Sequence, residues 1–176
     1  MQHDYTILSK RIFLRPIEEA DIENLRVLRN SKRQFFLGSD EITPEMQKKW
    51  FARYLEKQDD IMFVVEDRAN PGVFAGAISL YDIDWETGRC EVGRTVMDKT
   101  KLTYKNVGAE ATAAICAFGF DKLNLKVVIG NCYVDNIPMM KANEKAGHIF
   151  LKETDGVMYM EMTKDTVNRE IIDPEN

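Results

Sequence analysis

Residues 103–148, TYKNVGAEATAAICAFGFDKLNLKVVIGNCYVDNIPMMKANEKAGH, hold the pattern that decides the fold. A polar loop comes first, and then Ala111, Ile115 and Phe118 fall at helical spacing, giving one apolar face to a helix that starts near Gly108. The run LKVVIGNCYV (125–134) is β-branched and continuous, which predicts a strand buried on both faces. PMMKANEKA (138–146) returns to a helix, and HIFLKE (148–153) and VMYMEM (157–162) predict two closing strands. A glycine delivered to a helix start can bring unpaired backbone N–H groups and the positive dipole end against a pyrophosphate, and Gly108 is placed for that. An ordinary loop-to-helix turn has the same signature, and a single glycine by itself favours the turn.

Working outward, IMFVVED (61–67), VFAGAISLYDI (73–83) and RCEVGRTVM (89–97) are extended runs separated by turns at Asn70-Pro71-Gly72 and near Glu86-Thr87-Gly88. They predict an antiparallel meander of three strands. Further upstream, KRIFLRP (10–16) alternates charged and apolar side chains, as a half-buried strand does. IEEADIENLRVLRN (17–30) spaces Ile22, Leu25 and Leu28 along one helix face behind an acidic start. Thr43-Pro44-Glu45 sets a capping hydroxyl before a proline, opening a second helix that runs to about Lys57. The order predicts an α+β fold: a mixed central sheet of about seven strands, flanked by about four helices, in one domain spanning 1–176.

The 176 residues are 44% hydrophobic and 30% charged with a formal net charge of -5, which describes an ordinary globular chain. The acidic balance and the absence of a clustered basic stripe argue against nucleic acid as a partner. No run approaches the roughly 18 apolar residues of a spanning helix, and the first residues lack the apolar core of a signal peptide, so a cytoplasmic protein without a membrane partner is expected. Cys90, Cys116 and Cys132 each sit in an apolar stretch and read as buried free thiols. His3 and His148 lack the spacing of a metal site, so none is expected.

Taken in order, LRPIEEADIENLRVLRN, GAISLYDID, CEVGRTVM, GAEATAAICAFGFDKLNL and DNIPMMKANEKAGH make residues 10–163 resemble the GNAT acyltransferases. The nearest likeness is to the subgroup containing ribosomal-protein N-terminal, spermidine and amino-sugar acetyltransferases. The resemblance implies acetyl-CoA as donor, with its pantetheine arm between the fourth and fifth predicted strands. Val96 and Met97 at the end of the fourth strand would pair with pantetheine amides. The loop Thr103, Tyr104, Lys105, Asn106, Val107 and Gly108 would meet the pyrophosphate, and Asn136 would reach the donor from the last helix.

Two departures from the family pattern stand out. The loop lacks the family's leading Gln or Arg and its first glycine, leaving Asn106 to adopt a left-handed turn and Lys105 to supply positive charge. The helix Tyr that many members use as an acid is Asn143 here, and the strand Glu that some use as a base is Asn131. Neither amide exchanges protons near neutral pH, so Glu91 is the replacement base to be tested, with Asn131 and Asn143 beside it in the site and proximity carrying much of the rate. Arg94, three residues on, is expected on the opposite face of that strand. Arg29, Tyr81, Asp82 and Arg94 are candidates for binding the acceptor; for Tyr81 and Asp82 a turn-capping role competes.

The expected reaction is acetyl transfer to a primary amine. A small molecule, preferably an amino sugar, is favoured over a protein N-terminus on the stretch RNSKRQFFLGSDEIT and the pair Trp50-Phe51. The alternative is a module that binds acyl-CoA with little turnover. A monomer and a homodimer are both compatible with the sequence.

Overall fold

The computed structural model describes residues 1–36 and 40–172; residues 37–39, inside the stretch just quoted, and 173–176 lie outside them. Strands β1 (Ile7–Leu8), β2 (Ile12–Pro16), β3 (Ile61–Asp67), β4 (Gly76–Asp84), β5 (Arg89–Met97), β6 (Val127–Tyr133), β7 (Ile149–Thr154) and β8 (Val157–Thr163) form one sheet ordered β1-β2-β3-β4-β5-β6-β8-β7. Every neighbouring pair is antiparallel except β5 with β6. The eighth strand, absent from the sequence reading, is the two-residue β1, too short to show any alternation. Helices α1 (Ile22–Ser31), α2 (Pro44–Glu56), α3 (Val107–Lys122) and α4 (Ile137–Ala146) flank the sheet.

Local chemistry fixes the helix ends. Thr43 caps α2 by accepting from the Met46 amide at 3.2 Å, with Pro44 in the first turn. Asn136 caps α4, and Gly147 closes it in a left-handed conformation at φ 112. There a side chain would collide with the Thr166 carbonyl oxygen, 2.0 Å from a built Cβ.

The two sheet faces carry separate cores. Leu25 and Leu28 of α1 and Tyr54 of α2 pack with Met62, Val64, Ala77 and Val96. On the other face Ala111, Ile115 and Phe118 of α3 pack with Ile61, Phe63, Val65, Ile78, Leu80, Val92 and Val128. All seven residues of β3 are buried, because it lies between both helical layers. The strand expected to be buried on both faces, β6, instead alternates: Val128, Gly130 and Cys132 are buried while Val127, Ile129, Asn131 and Tyr133 are half-exposed. Helix α1 covers β4 and β5, and the second face of β6 stays open.

The three cysteines are free and buried, as expected, and burial pushes their thiols up, Cys90 to about 12. None can serve as a thiolate nucleophile near neutral pH. No described helix is long and apolar enough to cross a membrane, and no cluster of His, Cys, Asp or Glu among the described residues could hold a metal ion.

His148, just after α4, is 5% exposed, and its ring nitrogens have no hydrogen-bond partner among the described residues. Burial lowers its pKa from 6.5 to about 4. Between those values the unfolded chain binds a proton that the folded chain does not, so stability falls as pH drops from about 6.5 to 4. The loss amounts to at most about 3 kcal/mol. His148→Phe should be the more stable protein at pH 5 and should flatten urea-unfolding stability across this window. An unchanged pH dependence would show that the ring is solvated in the fold.

Candidate active site

Strands β5 and β6 are parallel neighbours over only three registers, Arg89↔Val127, Cys90↔Val128 and Glu91↔Ile129. Beyond them β6 stays paired with β8 as far as Tyr133↔Val157, while β5 stays paired with β4 as far as Met97↔Gly76. The two strands therefore splay, and a cleft of about 270 Å³ opens between them. Val92, Gly93, Arg94 and Thr95 line one wall, and Asn131, Cys132 and Tyr133 line the other. Thr112 of α3 and Asn136, Met139 and Asn143 of α4 close it on one sheet face; Arg29, Phe35, Phe36 and Tyr81 lie on the face of α1. The cleft thus runs through the sheet.

On the α1 face, Tyr81 and Glu91 are directly opposed in the β4–β5 ladder, and the Tyr81 hydroxyl donates to Glu91 Oε1. Asn131 Nδ2 donates to the same oxygen at 2.8 Å. Tyr81 of β4 and Asn131 of β6 thus converge on the Glu91 carboxylate of β5. Burial raises the Tyr81 phenol strongly, and the Glu91 carboxylate raises it further, so it stays protonated.

Arg94 is not on the opposite face from Glu91. Between Ser79↔Gly93 and Ala77↔Val96, β5 carries one residue more than β4, a bulge in which Arg94 takes φ 53. The bulge turns the guanidinium back over the Tyr81 ring, 4.2 Å from its centroid. Arg94 Nη1 donates to both oxygens of Asp60, at 2.7 and 2.9 Å, and Asp60 is 1% exposed. Its charge is consumed within the protein. Gly93 is required beneath the tyrosine, because a Cβ there would sit 3.0 Å from the Tyr81 hydroxyl.

Arg29, at the end of α1, is different. Its guanidinium lies 4.6 Å from the centroid of Phe36, its Nε is buried without a partner, and burial first and the Arg94 charge second lower its pKa. Asp82 does not join the cleft. It is exposed at φ 50 in a second irregularity of β4, between Tyr81 and Asp84.

On the α3 face, Asn106 precedes the helix at φ 62, the left-handed turn expected of it, and its side chain caps nothing. The Val107 and Gly108 N–H groups at the start of α3 are therefore bare, while that of Ala109 donates to the Asn106 carbonyl at 3.1 Å. A Cβ built at Gly108 would meet only Ala142 Cβ, at 4.0 Å, so the fold does not need glycine there. The missing side chain leaves open space beside the bare amides. Val107 is a core residue, while Tyr104 and Lys105 are exposed.

The loop is held at both ends. Asp67 accepts from the Thr103 amide at 2.6 Å. Arg11 donates to the Lys105 carbonyl at 3.1 Å and to Glu110, a fully buried carboxylate that also accepts from Ser9. Asn143 is buried in α4, with its backbone carbonyl accepting from His148, and Asn136 Oδ1 accepts from Met139 at 3.3 Å as the cap. Val96 and Met97 continue the β5 edge beyond the cleft wall. Asp60, Arg11, Glu110 and Thr112 were missed by the sequence reading; only Glu110, a charge in the apolar stretch of α3, left a visible signal.

A family model described as an acetyltransferase (GNAT) domain matches residues 11–149. The chain belongs to the GNAT acetyltransferase family. Members of this family bind acyl-CoA, and the splay of β5 from β6 with the bare α3 N-terminus beside it fits such a donor in this GNAT chain.

The GNAT fold is shared with solved structures at low identity. Apo FdhC, a nucleotide-linked sugar GNAT, superposes with a TM-score of 0.81 at 19% identity, covering 93% of each chain. Spermidine N-acetyltransferase from Vibrio cholerae, in complex with CoA and spermine, gives 0.75 at 18%, covering 89% of this chain and 97% of that one. A GCN5-related N-acetyltransferase from Brucella melitensis gives 0.72 at 18%, covering 94% and 81%. Sequence comparison with curated proteins returns no match.

Because the Gly108 position is open, Gly108→Val should fold with a melting temperature within a few degrees of the parent. By filling the space beside the bare amides it should weaken CoA binding by about tenfold or more in calorimetry. Unchanged affinity in the folded variant would remove the α3 N-terminus from the donor site.

Proposed function

We propose that this GNAT chain transfers the acetyl group of acetyl-CoA to the primary amine of a small molecule, an amino sugar in preference to a polyamine or a protein N-terminus. The observation that carries the reading is the convergence of Tyr81 and Asn131 on Glu91 at the mouth of a cleft that Thr112 of α3 and Met139 and Asn143 of α4 close on the other sheet face. The donor supplies an activated thioester whose carbonyl carbon an unprotonated amine attacks, releasing the CoA thiol.

The chain supplies position and proton handling. Because the Tyr81 hydroxyl gives its hydrogen to Glu91, its oxygen lone pairs are free to accept an N–H from the acceptor. A proton leaving the amine passes to the Tyr81 oxygen as the tyrosine's own proton moves to Glu91. Asn131 fixes the carboxylate against the tyrosine, which is a positioning role and requires no proton exchange by the amide. Asn143, inside the cleft on the donor face, offers an amide donor to the departing sulfur without discharging it. Val92–Met97 and the loop 103–108 hold the donor through backbone groups, a mode in which a missing family side chain costs little.

The amino-sugar preference draws on two supports. The nucleotide-linked sugar GNAT named above shares the fold over nearly the whole chain. Two arginines, Arg29 and Arg94, also line the cleft, and among the described residues the carboxylate at its mouth, Glu91, is engaged by Tyr81 and Asn131, an unwelcoming surface for a polycation.

Glu91→Gln removes the proton acceptor while keeping the shape. Its kcat for an amino-sugar acceptor should fall by about 10²-fold, with the acidic limb of the pH–rate profile moved to higher pH because the amine must then arrive deprotonated. Wild-type rates across the acidic limb would make Glu91 a structural partner of Tyr81.

A further inference from the structure

Arg29 is a cleft cation whose buried Nε has no partner among the described residues. Arg94, its neighbour across the cleft, is neutralised by Asp60, and Arg15 of β2 is held between Asp21 and Glu66. Arg29 has no carboxylate among the described residues, a buried Nε without an acceptor, and a like charge nearby that raises its energy. Leaving a guanidinium half-desolvated beside another cation is costly, and the usual remedy, an acidic partner, is missing. Its orientation is nevertheless fixed, with the Phe36 ring beneath the guanidinium plane. A rigid, unpaired fork in a cleft whose nearby carboxylate, Glu91, is already taken up by Tyr81 and Asn131 is a receptor for an oxyanion.

Which ligand brings the anion follows from the topology. The open space beside Gly108 belongs to the start of α3, on the sheet face opposite α1. Arg29 lies on the α1 face with Tyr81 and Glu91, the side from which the acceptor amine must approach. We infer that the acceptor carries, besides its amine, a phosphate or carboxylate that Arg29 binds, so that this acetyltransferase acts on small anionic amines and discriminates against neutral amines and polyamines. This inference rests on the acceptor site proposed above and names its chemistry. Arg29 acts here as a specificity residue: paired with the acceptor anion it aims the amine at the Tyr81 oxygen, and with a polyamine it repels.

Binding separates this claim from turnover. Calorimetry on the CoA-saturated protein would compare glucosamine 6-phosphate with glucosamine, 4-aminobutyrate with butylamine, and spermidine. The expected result is about tenfold or greater tighter binding of at least one anionic member over its neutral partner and over spermidine. The advantage should largely disappear in Arg29→Gln and be partly kept in Arg29→Lys. A gain confined to the phosphate pair identifies a phosphate as the anion, and a gain confined to the carboxylate pair a carboxylate. If neither anionic member gains, if spermidine binds as well, or if Arg29→Gln keeps the full advantage, the inference is overturned. A circular-dichroism melt confirms that each variant is folded. Thiol release is measured separately: Arg29-dependent binding without release contradicts the transfer reading and leaves the anion site standing.

Discussion

The site depends on a ladder that stops. Parallel strands gain from every register they share, yet β5 and β6 abandon each other after Glu91↔Ile129. The bulge at Arg94 shortens β5 relative to β4 and sharpens its twist, while β6 remains committed to β8 for its full length. The edges thus exposed, Val92–Thr95 and Asn131–Tyr133 along the cleft with Val96 and Met97 continuing beyond it, carry backbone donors and acceptors that water or a ligand can satisfy.

The bulge also sets the electrostatics. By bringing Arg94 over Tyr81 it places a cation against the ring of the residue that hands its hydrogen to Glu91. Asp60 then absorbs that cation from below. The result is a phenol kept protonated by burial and by its carboxylate, one hydrogen bond from a proton acceptor, with Asn131 holding the third corner. Of the two arginines lining the cleft, Arg29 has no counter-charge among the described residues, which is why the face of α1 differs in kind from the face of α3.

Much of this could be read from the chain, and the failures have physical causes. Helix caps, turns and the order of elements are local, so Thr43 and Gly88 announced themselves. Asn106 could be assigned its left-handed turn because the residue type tolerates it and the following helix needs it. Glu91 stood out as a charge on a strand destined for the middle of the sheet. The side of the strand taken by Arg94 was misread because alternation assumes an unbroken ladder, and nothing in CEVGRTVM marks where a bulge falls. Asp60 was missed because it looks like one end of a polar turn; its partner is 34 residues away. The burial of β6 was overestimated because a β-branched run reports strand preference and does not say how far the neighbouring helices extend.

The atypical donor loop and the amides at positions 131 and 143 are compatible with transfer if the donor is held by backbone and the proton by Glu91. Hydrogen–deuterium exchange of the full chain with and without acetyl-CoA tests that claim most directly. The account predicts slowed exchange at the amides of Val92–Met97 that face the cleft and at Val107 and Gly108, with β1 and β2 unchanged. Slowing elsewhere with no change along the β5 edge or at the start of α3 would contradict it.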